Sequence, residues 1–578
     1  MNVKDVIENA LTEKDGIYFL IDHEHFNYND GDKIENYILK VIRQATDISS
    51  DSRELEARIR DWPSLYHLSR ERSLAYRSLR IPSSARILEV GCGCASVTRF
   101  LGERAESVLA LEGSPRRATI TRARTRDLKS VNVLCASFQD VVFREKFDIV
   151  ICNGVLEYAS LFVDHREAHR KMLELLSALV APGGSLIVAI ENKLGLRYFA
   201  SGKEEHTNTM FDGLEGYPRK PGGPRTFGAK ELEDMMKAIF PSVESLLPLP
   251  DYKLPTAVVR ADLLERANCA ELFANTTRHD FGSHVLPRMH ERLVWHELQK
   301  NGLMKDFANS FFMIAGDRKT ALLDPDWMGD IYSIRRKPEW AVRTQISADE
   351  NGNIRTTKSY LKPDASRTAP TPFVHQTTET DWSNGVSIHT AVVRALCQKG
   401  GLPIEERLRE PILAWWAGIR KLSPDDGLLS GAVLDHNWQN ALVTGDEVQF
   451  IDGEWAWKEM IEPAWLIYRV VAKFADDEVY YAHRWNKACR RLSPYSMMKA
   501  VAKLVGAKFG IGAVVRAAAR ENALQEAVSG RRSPVAKTTL LAFEPIAVRQ
   551  MRYIGRRFRN ALRSKFRSLA GRHLLNRK

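Results

Sequence analysis

Two carboxylates and a pair of glycines are the residues of this chain best spaced to do chemistry. They are Glu89, Gly91 and Gly93 in the run Arg86-Ile-Leu-Glu-Val-Gly-Cys-Gly-Cys-Ala-Ser-Val97, and Glu112, twenty-three residues after Glu89. Glycines without a Cβ let a ligand approach the backbone, and the free N–H groups that open a helix point outward at it. A carboxylate at the end of the next strand can accept hydrogen bonds from both hydroxyls of a ribose. The chemistry indicated is the holding of an adenosine-type ligand. The third glycine of a G-x-G-x-x-G dinucleotide turn is missing, because Gly91-Cys-Gly93-Cys-Ala95 is followed by Ser96.

Four apolar runs must position these groups. Ile87 to Val90 reads as a buried strand that breaks at Gly91 and opens a helix from Val97 to Leu101. Val108 to Leu111 ends at Glu112, and Val131 to Cys135 leads to Ala136-Ser137-Phe138. Phe147 to Cys152 ends at Asn153-Gly154-Val155-Leu156-Glu157-Tyr158. Four strand ends in this order meet on one rim of a parallel sheet, where open α/β sheets bind ligands.

These motifs, with the helix, Pro-Gly-Gly and strand from Lys171 to Ile190, resemble the class I S-adenosylmethionine-dependent methyltransferases from about Tyr66 to Val259. The resemblance implies an α/β, Rossmann-like domain with a mostly parallel seven-stranded sheet and S-adenosylmethionine as cofactor. It implies cofactor-binding roles for Glu89, Gly91, Gly93, Glu112, Ser137, Phe138 and Asn153, with Tyr66 and Arg72 at the methionine carboxylate. Two positions depart from the family pattern: Ala95 replaces a glycine, and Ser137 stands where an acidic residue commonly meets the adenine amine. Trp62 to Leu79 reads as one amphipathic helix, Leu232 to Ile239 as the last crossover helix and Tyr252 to Arg260 as the closing strand.

Methyl transfer is an in-line displacement, so alignment is the main task, and a base is needed only for a hydroxyl or neutral amine acceptor. Glu157 and Tyr158 face the transfer site by position. The loop from Glu191 to Arg225 carries Glu204, Glu205, His206 and Asp212, and His206 is a candidate base.

A second constellation lies in Leu434-Asp435-His-Asn-Trp-Gln-Asn440 and Phe450-Ile-Asp452-Gly-Glu454. It is similar to the catalytic loop of protein kinases and aminoglycoside phosphotransferases, an Asp followed five residues later by Asn and then by a metal-binding Asp. By that resemblance Asp435 orients an acceptor hydroxyl, Asn440 and Asp452 hold Mg²⁺, and Lys358, on a hairpin of Trp340 to Ile346 and Ile354 to Leu361, meets the phosphates of ATP. No glycine-rich phosphate loop is present, and no glutamate stands on a clear helix to pair with Lys358.

At 578 residues the chain exceeds one core. We expect an N-terminal extension at 1–60, the methyltransferase domain at 61–265, a connecting segment at 266–325, a kinase-like α+β domain at 326–490 and a basic amphipathic helical tail at 491–578. Seven scattered cysteines without metal spacing, and no signal-peptide-like start, fit a reducing cytoplasm.

Ten Lys or Arg and no acidic residue lie between Met551 and Lys578, so this segment holds ten of the net +12. That concentration counts against a nucleic-acid duplex as partner. Ile554, Phe558, Leu562, Phe566 and Leu569 share one helical face there, and Met498, Val501, Leu504 and Val505 share another beside Lys499, Lys503 and Lys508. Basic helices with an apolar face suit an anionic membrane surface, so we expect a cytoplasmic protein attached peripherally to the inner face of the plasma membrane; the alternative is a partner-binding or partly disordered basic tail.

The order methyltransferase, kinase-like domain, basic tail resembles bacterial enzymes of surface-polysaccharide synthesis, O-antigen type. It implies a glycan or lipid-linked glycan acceptor, with glycosyltransferases as partners and phosphorylation of the same acceptor. The alternative is a non-catalytic or degenerate kinase-like organiser of a glycan-assembly complex. A small-molecule or nucleic-acid methyltransferase ranks behind both.

Overall fold

The computed structural model describes residues 2–21, 31–163, 167–276, 286–367, 371–424, 427–531, 533–552 and 555. Its centre is a parallel sheet of β3 (Arg86–Val90), β4 (Ser107–Glu112), β5 (Val131–Cys135), β6 (Phe147–Asn153) and β7 (Val180–Glu191), ordered β5-β4-β3-β6-β7 after the hairpin β1 (Leu11–Lys14) and β2 (Ile17–Leu20). β2 pairs in parallel with β5, so the N-terminal segment is part of the sheet. Alternate residues feed two cores: Leu88, Leu109 and Val150 pack on one face, Ile87, Val108 and Ile149 on the other. Both faces are covered, which is why these strands read as unbroken apolar runs.

Beyond β7 the structure departs from expectation. The strand inserted next to β7 is β10 (Ser310–Gly316), antiparallel both to β7 and to β8 (Ser242–Leu249). The expected closing strand, observed as β9 (Ala257–Arg260), lies outside β8. The segment 266–325 therefore supplies a central strand rather than a connection. The outer edge of β9 then pairs with β11 (Trp327–Ser333), and β12 (Val342–Ala348), β13 (Ile354–Tyr360) and, past β14 (Phe373–His375), β15 (Glu379–Asp381) continue the row. The seven-stranded sheet is thus the middle of a fourteen-stranded one. An open edge offers unpaired N–H and C=O groups, and here another part of the same chain takes them.

Trp62 to Leu79 is also not one helix. Ser69 adopts an extended conformation after the helix Trp62–Leu68, and its side chain accepts from the N–H of Glu71, so a 3₁₀ turn, Arg70–Ser73, and a short helix, Leu74–Arg77, follow. Serine bonding its own backbone competes with helix propagation.

The C-terminal half has a second core. It is built by the helices Ile388–Cys397, Ile404–Leu422 and Pro463–Glu478 around Trp415, Trp438, Trp465 and Trp485. The face of Met498 and Val501, read as membrane-seeking, is fully buried in this core. Helices Pro494–Leu504, Ile511–Ser529 and Val535–Phe543 pack there too, so 491–543 is not a free tail. Amphipathic periodicity alone does not distinguish a core face from a membrane face. The aromatic face from Ile554 to Leu569 lies outside the described residues. Among the described residues no helix is long and apolar enough to cross a membrane, and all seven cysteines are free.

Candidate functional site

A cavity of about 310 Å³ opens at the carboxyl ends of the central parallel strands. Around it the structure places Tyr66, Arg72, Glu89, Gly91, Gly93, Glu112, Ser137, Phe138, Asn153, Glu157, Tyr158 and His206. Gly91 has φ +75°, and a Cβ there would lie 2.3 Å from Val155 Cγ2; at Gly93 a Cβ would meet nothing within 4 Å. The first glycine is required by its contact with Val155, and the second faces open space with a φ of +59°, which also favours glycine. Ala95 holds a left-handed conformation, φ 61° and ψ 31°, at the start of the helix Ser96–Gly102. Such a conformation costs an L-residue about 1–2 kcal/mol, which explains a glycine as the usual occupant.

Glu112 accepts from the N–H groups of Gly93 (2.8 Å) and Ser114 (2.9 Å), tying the second strand end to the glycine turn. Burial raises its pKa against the opposing effects of Arg117 and those two N–H groups. Burial pushes Glu89 up to about 8, against the opposing influence of Thr98 and Arg72. Arg72 lies over the Tyr66 ring at 4.1 Å and donates to the Lys253 carbonyl at 2.8 Å. Glu89 Oε2, Asn153 Oδ1 and Arg72 Nε are buried without a hydrogen-bond partner, three polar atoms that a polar ligand in the cavity would satisfy.

Residues 88–188 match the family model described as a methyltransferase domain. The chain carries a methyltransferase domain. The cavity fits the expected S-adenosylmethionine: its size suits that group, the glycine turn gives backbone access and the orphaned polar atoms would be satisfied by its charged amino-acid moiety. Among solved structures it is similar to phosphoethanolamine N-methyltransferase 2 of Haemonchus contortus, solved with phosphomonomethylethanolamine and S-adenosylhomocysteine. The identity is 14%, with 43% of this chain and 53% of that chain covered and a TM-score of 0.26, so the match spans about half of that enzyme. The YcgJ protein of Bacillus subtilis matches at 12% identity over 43% of this chain and 98% of its own, TM-score 0.24. The N-methyltransferase NodS of Bradyrhizobium japonicum, with S-adenosylhomocysteine, matches at 16% over 28% and 75%, TM-score 0.20. No curated protein matches the chain.

At the far end of the methyltransferase cavity the charged groups crowd together. Lys253 forms ion pairs with Glu191 and with Glu205, and Tyr252 Oη donates to Glu191 at 3.4 Å. His206 Nδ1 lies 3.1 Å from Tyr158 Oη, and its Nε2 lies 3.7 Å from Glu191 Oε2. Burial and then the nearby Glu191 charge push Glu157 up to about 8. Burial lowers His206, but its contact with Glu191 and the charges of Glu191, Glu157 and Glu204 outweigh it and raise it to about 9. Burial would raise Glu191, and Lys253 and His206 together hold it well below the usual carboxylate range.

Glu204 and Asp212 do not reach this cavity. Glu204 accepts from the backbone N–H groups of His206 (2.8 Å) and Thr207 (2.6 Å), and Asp212 binds Arg219, so both shape the loop. Glu191 and Lys253 had no role assigned from sequence. Glu191 is the last residue of β7, so the fifth strand end was the available signal; Lys253 enters from beyond β8 and had none.

The second constellation is also brought together. Lys358, on β13 opposite Thr344, forms an ion pair with Asp452 and another with Glu454 at 2.9 Å. Asp435, Asp452 and Glu454 each offer an oxygen, all within 4.8 Å of one another. Asn440 Nδ2 donates to the Asp435 carbonyl at 3.0 Å. Asp452 has φ 61° after the hairpin β17 (Ala441–Thr444) and β18 (Glu447–Phe450), which follows β16 (Val386–Ser387). Glu454 also takes Arg336 and the Trp455 indole N–H (3.0 Å), with His375 Nε2 at 3.4 Å. Burial raises Asp435 to about 7, against the pull of Arg469. Burial would raise Glu454 too, but His375, Arg336 and Lys358 hold it far below its ordinary value.

Proposed function

We propose that this methyltransferase acts on a cell-surface glycan or its lipid-linked precursor. One observation carries the reading: a single cavity joins the glycine turn to a cluster of acid, base and cation at Glu157, Tyr158, His206, Glu205 and Lys253. Such a cluster suits an acceptor rich in hydroxyls, which needs both hydrogen-bond partners and a route for a proton. S-adenosylmethionine supplies a methyl group activated by its cationic sulfur. Around it Glu112 accepts from the ribose hydroxyls, Ser137 and Phe138 border the base, and Arg72 with Tyr66 holds the carboxylate. Asn153 and Glu89 bond the amino end, and the Gly91 turn leaves the backbone open to it. Alignment of acceptor and methyl group then does most of the work, as bound geometry replaces a bimolecular encounter. Mass spectrometry of the surface glycan with and without this protein tests the reading. A lost methyl increment supports it; an unchanged glycan, with no radiolabelled methyl entering lipid-linked glycan, favours the non-catalytic organiser.

A second reading, phosphorylation of the same acceptor, is favoured by the meeting of Lys358, Asp435, Asn440 and Asp452. An all-oxygen donor set suits Mg²⁺, with Asp452 and the Asn440 Oδ1 holding it on the nucleotide phosphates, Lys358 beside them and Asp435 orienting the acceptor hydroxyl. Glu454 takes the place of the expected helical glutamate as partner of Lys358. ATP turnover lost in Asp435→Ala supports this reading, and absence of ATP binding in the unmodified protein overturns it. Attachment to an anionic membrane through 551–578, beside glycosyltransferase partners, belongs to the same proposal; equal flotation with anionic liposomes after truncation at Gln550 would refute it.

A further inference from the structure

The acceptor end of the methyltransferase cavity contains three side chains that each have one buried polar atom without a hydrogen bond, two of them, His206 Nε2 and Glu191 Oε2, facing each other at 3.7 Å. Glu157 sits in the 3₁₀ turn Leu156–Tyr158, Glu191 ends β7, and His206 comes from the long loop between β7 and β8. Glu157 and Glu191 are each 1% exposed. Glu157 Oε2, Glu191 Oε2 and His206 Nε2 have no hydrogen-bond partner, and the three residues offer ligand atoms within 4.8 Å of one another.

On His206 and Glu191 the other polar atoms are held from behind. Tyr158 Oη meets His206 Nδ1 and fixes the ring, whose plane stands at 90° to the phenol. Glu204 clamps the His206 backbone, while Lys253 and Tyr252 occupy Glu191 Oε1. Outer partners that orient His206 and Glu191 and leave one atom of each inward are the arrangement of metal-ligating residues.

We infer that Glu157, Glu191 and His206 bind a divalent first-row metal ion at the acceptor end, which makes methyl transfer metal-assisted. The inference rests on the acceptor site proposed above. One imidazole and two carboxylates suit Mn²⁺, Fe²⁺ or Zn²⁺ better than Mg²⁺ or Ca²⁺, which prefer oxygen alone. Three protein ligands leave positions open for acceptor oxygens, so the acceptor class is one that chelates, such as vicinal hydroxyls or a hydroxyl beside a carboxylate. A hydroxyl bound there releases its proton to solvent. Its oxygen forms the O–C bond as the C–S bond breaks, and the bonding pair returns to sulfur to give the neutral thioether.

The test uses the full chain, stripped with a chelator and titrated with Mn²⁺, with S-adenosylmethionine binding measured on the same samples. Asp452→Asn is introduced throughout to weaken the second carboxylate cluster. The expected result is a bound Mn²⁺ whose spin-echo signal shows an imidazole nitrogen, lost in His206→Ala and weakened at least tenfold in affinity in Glu157→Gln. Tyr158→Phe, which keeps all three ligands, is expected to lower affinity by about 10–100-fold. No bound ion, or a nitrogen signal that survives His206→Ala in a folded variant, overturns the inference. Cofactor binding without metal binding defeats the metal site and leaves the acceptor reading standing. Metal binding without cofactor binding supports the ion site and defeats the reading on which its catalytic use rests.

Discussion

The two charged clusters of this protein use nearly the same residue types to opposite ends. In the C-terminal cluster Glu454 is enclosed by Lys358, Arg336, His375 and the Trp455 indole, so its charge is matched and the group is held fast. In the methyltransferase cavity Lys253 pairs one oxygen of Glu191, while Glu157 Oε2, Glu191 Oε2 and His206 Nε2 make no hydrogen bond and border a space. A matched buried cluster stabilises the fold around it, whereas an unmatched one stores affinity for something that is not protein.

The largest effect should come from breaking the matched cluster. Glu454→Ala leaves Lys358 and Arg336 facing each other in a buried site, and loss of one partner from such a site costs about 3–5 kcal/mol. A clear drop in Tm is expected; an unchanged Tm would erase the contrast. The counterpart, Glu157→Gln at pH 7, should leave Tm unchanged or raised, because no protein partner of Glu157 Oε2 is lost.

Next in size is Gly91→Ala. Its Cβ would meet Val155 at 2.3 Å with a φ of +75°, and strain of about 1–3 kcal/mol corresponds to roughly 10–100-fold in cofactor affinity. Calorimetric titration with S-adenosylmethionine measures it, and wild-type affinity would show that the turn does not hold the ligand.

The smallest effect is a slope. Glu89 has its pKa raised by burial to about 8, above its unfolded value of 4.5, so folding disfavours its charged form. Its stability penalty is absent below pH 4.5, grows as pH rises toward 8 and is complete above that. The Tm of the cofactor-free protein should fall from pH 6 to pH 9, less steeply in Glu89→Gln. Equal slopes would place this carboxylate among the matched groups.

What could be read in advance follows the range of the interactions. Glu89, Gly91, Glu112 and Asn153 belong to short strand-turn units whose chemistry is local, and the apolar runs of β3 to β6 announce a sheet covered on both sides. β10 was invisible as the partner of β7, because more than a hundred residues separate them and no turn signal links the two. Met498 and Val501 show the opposite failure: their spacing was plain, but whether protein or lipid covers a helix face depends on what packs there. Glu191 and Lys253 gained meaning only when folding placed them against His206 and Glu157.

The place of β10 bears on how the protein is made. Synthesis delivers the chain from its N-terminus at about 5–20 residues per second, and the cavity's walls begin at Trp62. The slot between β7 and β8 stays open until Ser310–Gly316 has left the ribosome. For many seconds β7 and β8 are nascent edges without their neighbour, open to mispairing or to a chaperone. A ribosome stalled before residue 310 would display a methyl-donor site whose sheet had yet to close.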